Sequence, residues 1–204
     1  LLRLIESDRF EQMKAGDAVT LAFPVGMAAE AVDIVRLPRN ADQTQARAAG
    51  ASLAKLRGQM DVLVMAGAVR RTAEVAYGFA MRDYAFEDHK TSAKPRAGEV
   101  RVMCGKVDEV QAAATPLMAI AEGAFMTRDL TNAPANVLTT TTFAEQLAEM
   151  SALGLKVEVL EEADLEKLGM GSLLCVGQGS ASPSKVVVMQ WNGGAKDAKP
   201  LALI

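Results

Sequence analysis

Two cysteines, one histidine, a glycine-rich pentad and a run of acids are the residues here whose types could do chemistry. Cys104 and Cys175 sit beside or within the apolar runs VRVMCG and SLLCVG, with no CxxC spacing and no neighbouring histidine. A reactive thiolate needs a cationic or metal neighbour to lower its pKa. Both are therefore expected to be reduced thiols of the core. His89 is the one histidine, which excludes a zinc site built on two or three histidines of this chain. Ser172 and Ser180 lie in GMGSL and GQGSA and miss the GxSxG nucleophile elbow. Only His89 with Cys104 or Cys175 is left as a nucleophile–base pair, and all three read more simply as structural or surface residues.

Val176-Gly177-Gln178-Gly179-Ser180 invites a phosphate-loop reading. That reading needs a helix to start at once, so that its first amides face the phosphate. Ser182-Pro183 and an apolar run follow instead, so a tight connection between two strands is expected. Glu161, Glu162, Asp164 and Glu166 cluster where a helix should start, and carboxylates there favour the helix dipole. Glu87-Asp88-His89-Lys90 reads as a solvated loop. Arg36, Arg39, Arg70 and Arg71 are too few for a nucleic-acid stripe.

The elements around these residues alternate. Strands are expected at 18–23, 32–36, 61–66 and 99–103, and helices at 41–56 and 70–84. The second helix should turn Ala73, Ala76, Tyr77, Ala80, Met81 and Tyr84 inward. Thr115-Pro116, a cap with proline at the first helical position, should open a linking helix over 115–131 that Asn132-Ala133-Pro134 ends. Beyond it the pattern restarts, with a helix over 141–153 that has threonine caps and Gly154 as its stop. A strand over 155–160 and a short helix over 162–168, closed by Gly169, come next. Further strands are expected at 173–176, 185–191 and from Leu201 to Ile204. This reads as α/β: an N-terminal α/β domain over 1–114 with a central mixed sheet flanked by helices, the linking helix, and from 132 the first part of a second α/β domain.

Composition bounds the rest. The chain has 204 residues, half apolar and 23% charged, with a net charge of −3. That fits one or two globular domains and gives no overall basic surplus for nucleic acid. The longest apolar stretch, about 19–29, contains Pro24 and Gly26 and is too short and broken to span a bilayer. The chain opens on LLRLIESDRFEQMKAG without Met and closes on PLALI, so a piece of a longer protein is expected.

One stretch is more specific. Thr127–Thr139, read as TRDLTNAPANVLT, resembles the RDLxNxPxNxLTP segment of the cytosolic leucyl aminopeptidases, the M17 peptidase family. Thr140 stands where that family often has proline. LGLKVEVL over 153–160, LGMGSLLCVGQGS over 168–180, WNGG over 191–194 and PLALI over 200–204 are similar to further stretches of the same family. Before Thr127 the likeness is looser and centres on Ala73–Thr91.

The resemblance implies an N-terminal α/β domain joined by a long helix to a catalytic α/β domain holding two divalent metal ions, Mn2+ or Zn2+. It implies a cytoplasmic homohexamer that releases N-terminal residues, preferentially leucine, from peptide substrates by two-metal hydrolysis. The family's ligands are a lysine, three aspartates and a glutamate, the first of them just beyond the strand that ends here at Ile204. No catalytic, cofactor-binding or metal residue is therefore carried onto this chain, and these residues alone are expected to be inactive. The alternative is a non-catalytic oligomerisation or DNA-binding module. The apolar run at Leu201–Ile204 speaks against a free-standing module, because it would leave a sheet edge open to association.

Overall fold

The computed structural model describes residues 2–92 and 98–204. The chain divides into two compact units, 1–131 and 132–204.

The first unit opens with two single-turn helices, α1 (Leu2–Ile5) and α2 (Asp8–Glu11). The antiparallel pair β1 (Ala18–Ala22) and β2 (Ala31–Val35) follows, in register from Ala18↔Val35 to Ala22↔Ala31. Arg36 ties the pair back to α2, donating from Nη1 to the carbonyls of Phe10, Glu11 and Met13. Glu11 is the last residue of α2, and Met13 follows just beyond it, so Arg36 supplies a donor where the helix has run out of its own. Gly16 makes the turn into β1 at φ +91°, a left-handed conformation that glycine adopts without steric cost.

Helix α3 (Gln43–Leu56) begins with a capping box: the Asp42 carboxylate accepts from the Gln45 N–H at 2.8 Å, and the Gln45 side chain accepts from the Asp42 N–H at 3.1 Å. It packs against α4 (Thr72–Asp83), and this contact is the core of the unit. Ala46, Ala49, Gly50 and Ala54 are buried on α3, and Thr72, Ala73, Val75, Gly78 and Phe79 on α4. The inward face of α4 thus differs from the expected one. Ala76, Tyr77, Ala80, Met81 and Tyr84 are only half-buried. Glycine lets two backbones approach more closely than any larger residue, so Gly78, not the alanine and tyrosine row, sets which face meets α3.

Strand β3 (Val62–Gly67) pairs in parallel with β4 (Val100–Cys104). Among the described residues no ladder joins this pair to β1–β2, so the unit holds one antiparallel and one parallel pair. Helix α5 (Val107–Asn132) is a single helix of 26 residues with Pro116 inside it. It does not start at Thr115-Pro116 as the sequence suggests. The Thr115 hydroxyl donates back to the Gln111 carbonyl at 2.9 Å and caps nothing. A proline deletes one backbone bond, but good helix formers on both sides, Ala112–Ala114 and Leu117–Ala119, carry the helix through.

In the second unit, a reciprocal box between Thr139 and Thr142 opens α6 (Thr140–Glu149). A 3-10 turn over Met150–Leu153 follows, and Gly154 stops it at φ +94°. Strand β5 (Lys156–Leu160), α7 (Glu162–Lys167) and α8 (Gly171–Gly177) come next. Strand β6 (Val186–Gln190) then pairs antiparallel with β5, Lys156 opposite Gln190 and Leu160 opposite Val186. Ala144, Leu147 and Leu165 are its buried apolar residues.

Two expectations fail in this unit. Residues 173–176 are not a strand but part of α8; the Met170 carbonyl accepts from the Leu173 and Leu174 N–H groups at 3.1 Å and starts the helix. A four-residue apolar run is compatible with either period, and here the local turn after Gly169 decides. Leu201–Ile204 pairs with no neighbour among the described residues and is exposed coil. A strand exists only in a ladder, which residue pattern alone does not supply.

Candidate functional site

The chemistry-bearing residues fall into four separate places. The first is the end of α3. Arg57 is 4% exposed and donates from Nη1 to the Asp83 carboxylate at 2.9 Å and from Nη2 to the Gly98 carbonyl. Its guanidinium carbon lies 5.9 Å from the centre of the Phe79 ring. Its Nε has no hydrogen-bond partner among the described residues. A buried cation is tolerated only when paired, and the Asp83 carboxylate performs that role. Asp83 also borders a cleft of about 260 Å³ whose other walls include Val64, Val75, Phe79, Val100 and Val102. Among the described residues Asp83 is the one ionisable group of that cleft's lining, and Arg57 engages it.

The second place is the seam between α3 and α4. Glu74 accepts from Arg47 Nε at 2.7 Å and from Gln43 Nε2 at 2.8 Å. Arg47 also lies over the Tyr77 ring, 4.5 Å from its centre. Burial by itself raises the Glu74 carboxyl. The hydrogen bonds from Arg47 and Gln43, with the charges of Arg47 and Arg71, outweigh it and hold the group below the ordinary carboxylate value.

The third place joins α4 to α5. The Tyr84 ring stacks on Phe125 with centres 5.4 Å apart. Arg128 lies against both rings, 5.2 Å from Tyr84 and 6.0 Å from Phe125, and donates to the Met81 carbonyl at 2.7 Å. The Tyr84 hydroxyl donates to the Asp129 carboxylate at 2.6 Å.

The fourth place lies in the second unit. Lys185 donates to both oxygens of Glu161, at 2.6 and 2.5 Å, and the Ser184 N–H donates to Glu162 at 2.7 Å. Asp164 completes a capping box with Glu161 at the start of α7. These acids cap a helix and hold the segment that enters β6.

The residues singled out by type are not brought together. Cys175 is exposed on α8, with its thiol on the Ser172 carbonyl at 3.1 Å, and Cys104 is half-buried on β4. Neither is the fully buried core thiol expected, and for Cys175 the cause is the replacement of a strand by a helix that buries none of its residues. His89 is exposed in the loop after α4, at φ +64°. Gly177 ends α8 and its carbonyl accepts from the Ser180 N–H at 2.9 Å, so this stretch leaves a helix rather than a strand and does not link two strands. Among the described residues, no three His, Cys, Asp or Glu side chains are grouped to hold a metal ion. No helix among them is long and apolar enough to cross a membrane. The Arg57 and Arg128 contacts went unread in the sequence. No local signal marks them, because their hydrogen-bond partners lie 26 to 47 residues away in the sequence.

Comparison with known proteins adds what geometry does not. Residues 125–204 match the catalytic domain of the cytosol aminopeptidase family. The chain is 51% identical over 202 residues to a probable cytosol aminopeptidase of Dinoroseobacter shibae, covering 99% of this chain and 41% of that protein. It is also 51% identical to a probable cytosol aminopeptidase of Cereibacter sphaeroides, covering 100% of this chain and 42% of that one. The chain thus spans about two-fifths of the length of these relatives. Among solved structures, the bottromycin maturation enzyme BotP in complex with Mn superposes with a TM-score of 0.71 at 28% identity, over 89% of this chain and 41% of that one. A mutant of tomato leucine aminopeptidase superposes with a TM-score of 0.75 over 92% of this chain and 40% of that one; at 22% identity it supports the fold alone.

Proposed function

Because this chain belongs to the cytosol aminopeptidase family, we propose that the whole protein is a metal-dependent aminopeptidase that removes N-terminal residues, leucine preferentially, from peptides. The observation that carries the reading is the likeness itself, which runs through both units at 51% identity and includes the catalytic-domain match over 125–204. Two divalent metal ions, manganese or zinc, a homohexameric assembly and a cytoplasmic location belong to the same reading. The Mn complex of BotP supports divalent metal use.

We assign no metal ligand and no step of hydrolysis to the residues of this chain, and we read its contribution as architectural. The seam between α3 and α4 holds the first unit together. Helix α5 leads to Asn132, and the capped α6 and α7 fix the strands of the second unit.

The test is amine dependence. The whole protein, supplied with manganese, should release leucine from a leucyl peptide and leave its N-acetylated form uncut. Equal cleavage of both, or internal cleavage of a longer peptide, would contradict an aminopeptidase.

A further inference from the structure

The match to the family's catalytic domain begins at Phe125, yet Phe125, Arg128 and Asp129 reach Tyr84, the residue that ends α4, and Arg128 reaches Met81 within it, both outside the matched residues. The four contacts differ in kind: a ring stack, a cation against two aromatic faces, a cap on the Met81 carbonyl, and a hydroxyl–carboxylate hydrogen bond. All fall within the last two turns of α5, immediately before Asn132, where the second unit begins. Ala121 is the one fully buried residue of the helix, so these turns carry no fully buried side chain of their own.

Arginine is the residue suited to this place. Its flat guanidinium stacks on rings and donates to a carbonyl at once, which a lysine ammonium cannot do. The Met81 carbonyl lies in the last turn of α4, one of the groups that no intrahelical N–H satisfies. Without Arg128 that carbonyl loses its donor, and the rings lose the cation set against them.

We propose that Arg128, with Tyr84, Phe125 and Asp129, acts as a positioning clamp: it keeps the last turns of α5 helical and seated on α4, so that the segment from Asn132 into α6 starts from a fixed point. In this role Arg128 touches no substrate. It serves the reaction of the preceding subsection by holding the entry to the catalytic domain, and the inference rests on that reading for its effect on catalysis. Reactions that depend on exact placement lose up to about a hundredfold from small displacements set far from the chemistry.

The experiment compares three variants of the whole protein: Arg128→Met, which keeps the apolar stem, Tyr84→Phe, which keeps the ring, and Arg47→Met as a control. Arg47→Met breaks an ion pair in the same unit without touching α5. Two readouts are taken, kcat and KM on a leucyl peptide, and backbone hydrogen exchange over residues 132–140. For Arg128→Met, kcat should fall about tenfold with KM within about twofold, and exchange over 132–140 should quicken about tenfold. Tyr84→Phe should show the same changes in smaller measure. Arg47→Met, though less heat-stable than the parent, should leave both readouts alone. Loss of kcat in all three variants in proportion to their thermal stability would overturn the clamp, as would unchanged exchange in Arg128→Met. A parent protein inactive with every metal would count against the aminopeptidase reading, and the exchange measurement would then decide the clamp by itself.

Discussion

Gly78 of α4 stands so close to Arg47 of α3 that a Cβ built on it would lie 2.1 Å from the Arg47 carbonyl oxygen. The relation is mirrored at Gly50, where a Cβ would lie 1.9 Å from the Val75 carbonyl oxygen. The two helices therefore meet backbone to backbone, and neither contact can be relieved by turning a side chain.

Gly78→Ala should accordingly destabilise the protein by about 2–3 kcal/mol, the upper range for forcing volume into a packed core. Gly123→Ala makes the contrast. That glycine is interior to α5, and a Cβ there would meet nothing within 4 Å. It should stabilise by roughly 0.5–1 kcal/mol through helix propensity alone. Urea unfolding of the two variants checks the opposite signs.

The Glu74 carboxyl makes stability depend on acid. Its folded pKa lies below the unfolded value, so its contribution is fully present above the unfolded carboxylate pKa. It is lost as pH falls through the depressed folded value. Glu74→Gln should lower stability near neutrality and flatten the acid limb of the stability–pH curve. A mutant curve that parallels the parent down to the lowest pH would show that the pair with Arg47 contributes nothing.

Arg57→Met should cost about 2 kcal/mol, somewhat under the usual loss for breaking a buried pair, because the Asp83 side chain keeps 21% exposure. Thermal unfolding of Arg57→Met beside the double variant Arg57→Met/Asp83→Asn separates charge from packing. If the loss is electrostatic, removing the carboxylate as well recovers part of it.

Much of this fold is legible in the residues. Asp42 before an alanine-rich stretch and Thr139 three residues ahead of Thr142 mark helix starts, and each side chain makes the capping bond its type suggests. Gly154 stops its turn in the left-handed conformation that glycine favours. What stays illegible is non-local. Nothing adjacent to Gly78 says that the Arg47 carbonyl will press on it. Pro116 reads as a beginning, and only a helix supported from both sides lets it pass as an interior residue. Leu173–Val176 is too short for its period to declare itself. The candidate site follows the same division. The stretch over 127–139 identifies the family in letters, whereas the work of Arg128 and Asp129 in it is visible only once α4 is placed beside them.

The proposed metal-dependent aminopeptidase has its catalytic donors outside these 204 residues. Leucine release from a leucyl peptide should be measured for the whole protein and for the 204-residue chain, each with manganese or zinc, then with a chelator, then with metal restored. The whole protein should show activity that the chelator abolishes and metal restores, and the 204-residue chain should show none. Chelator-sensitive leucine release by the 204-residue chain itself, or a whole protein inactive with either metal, would contradict it.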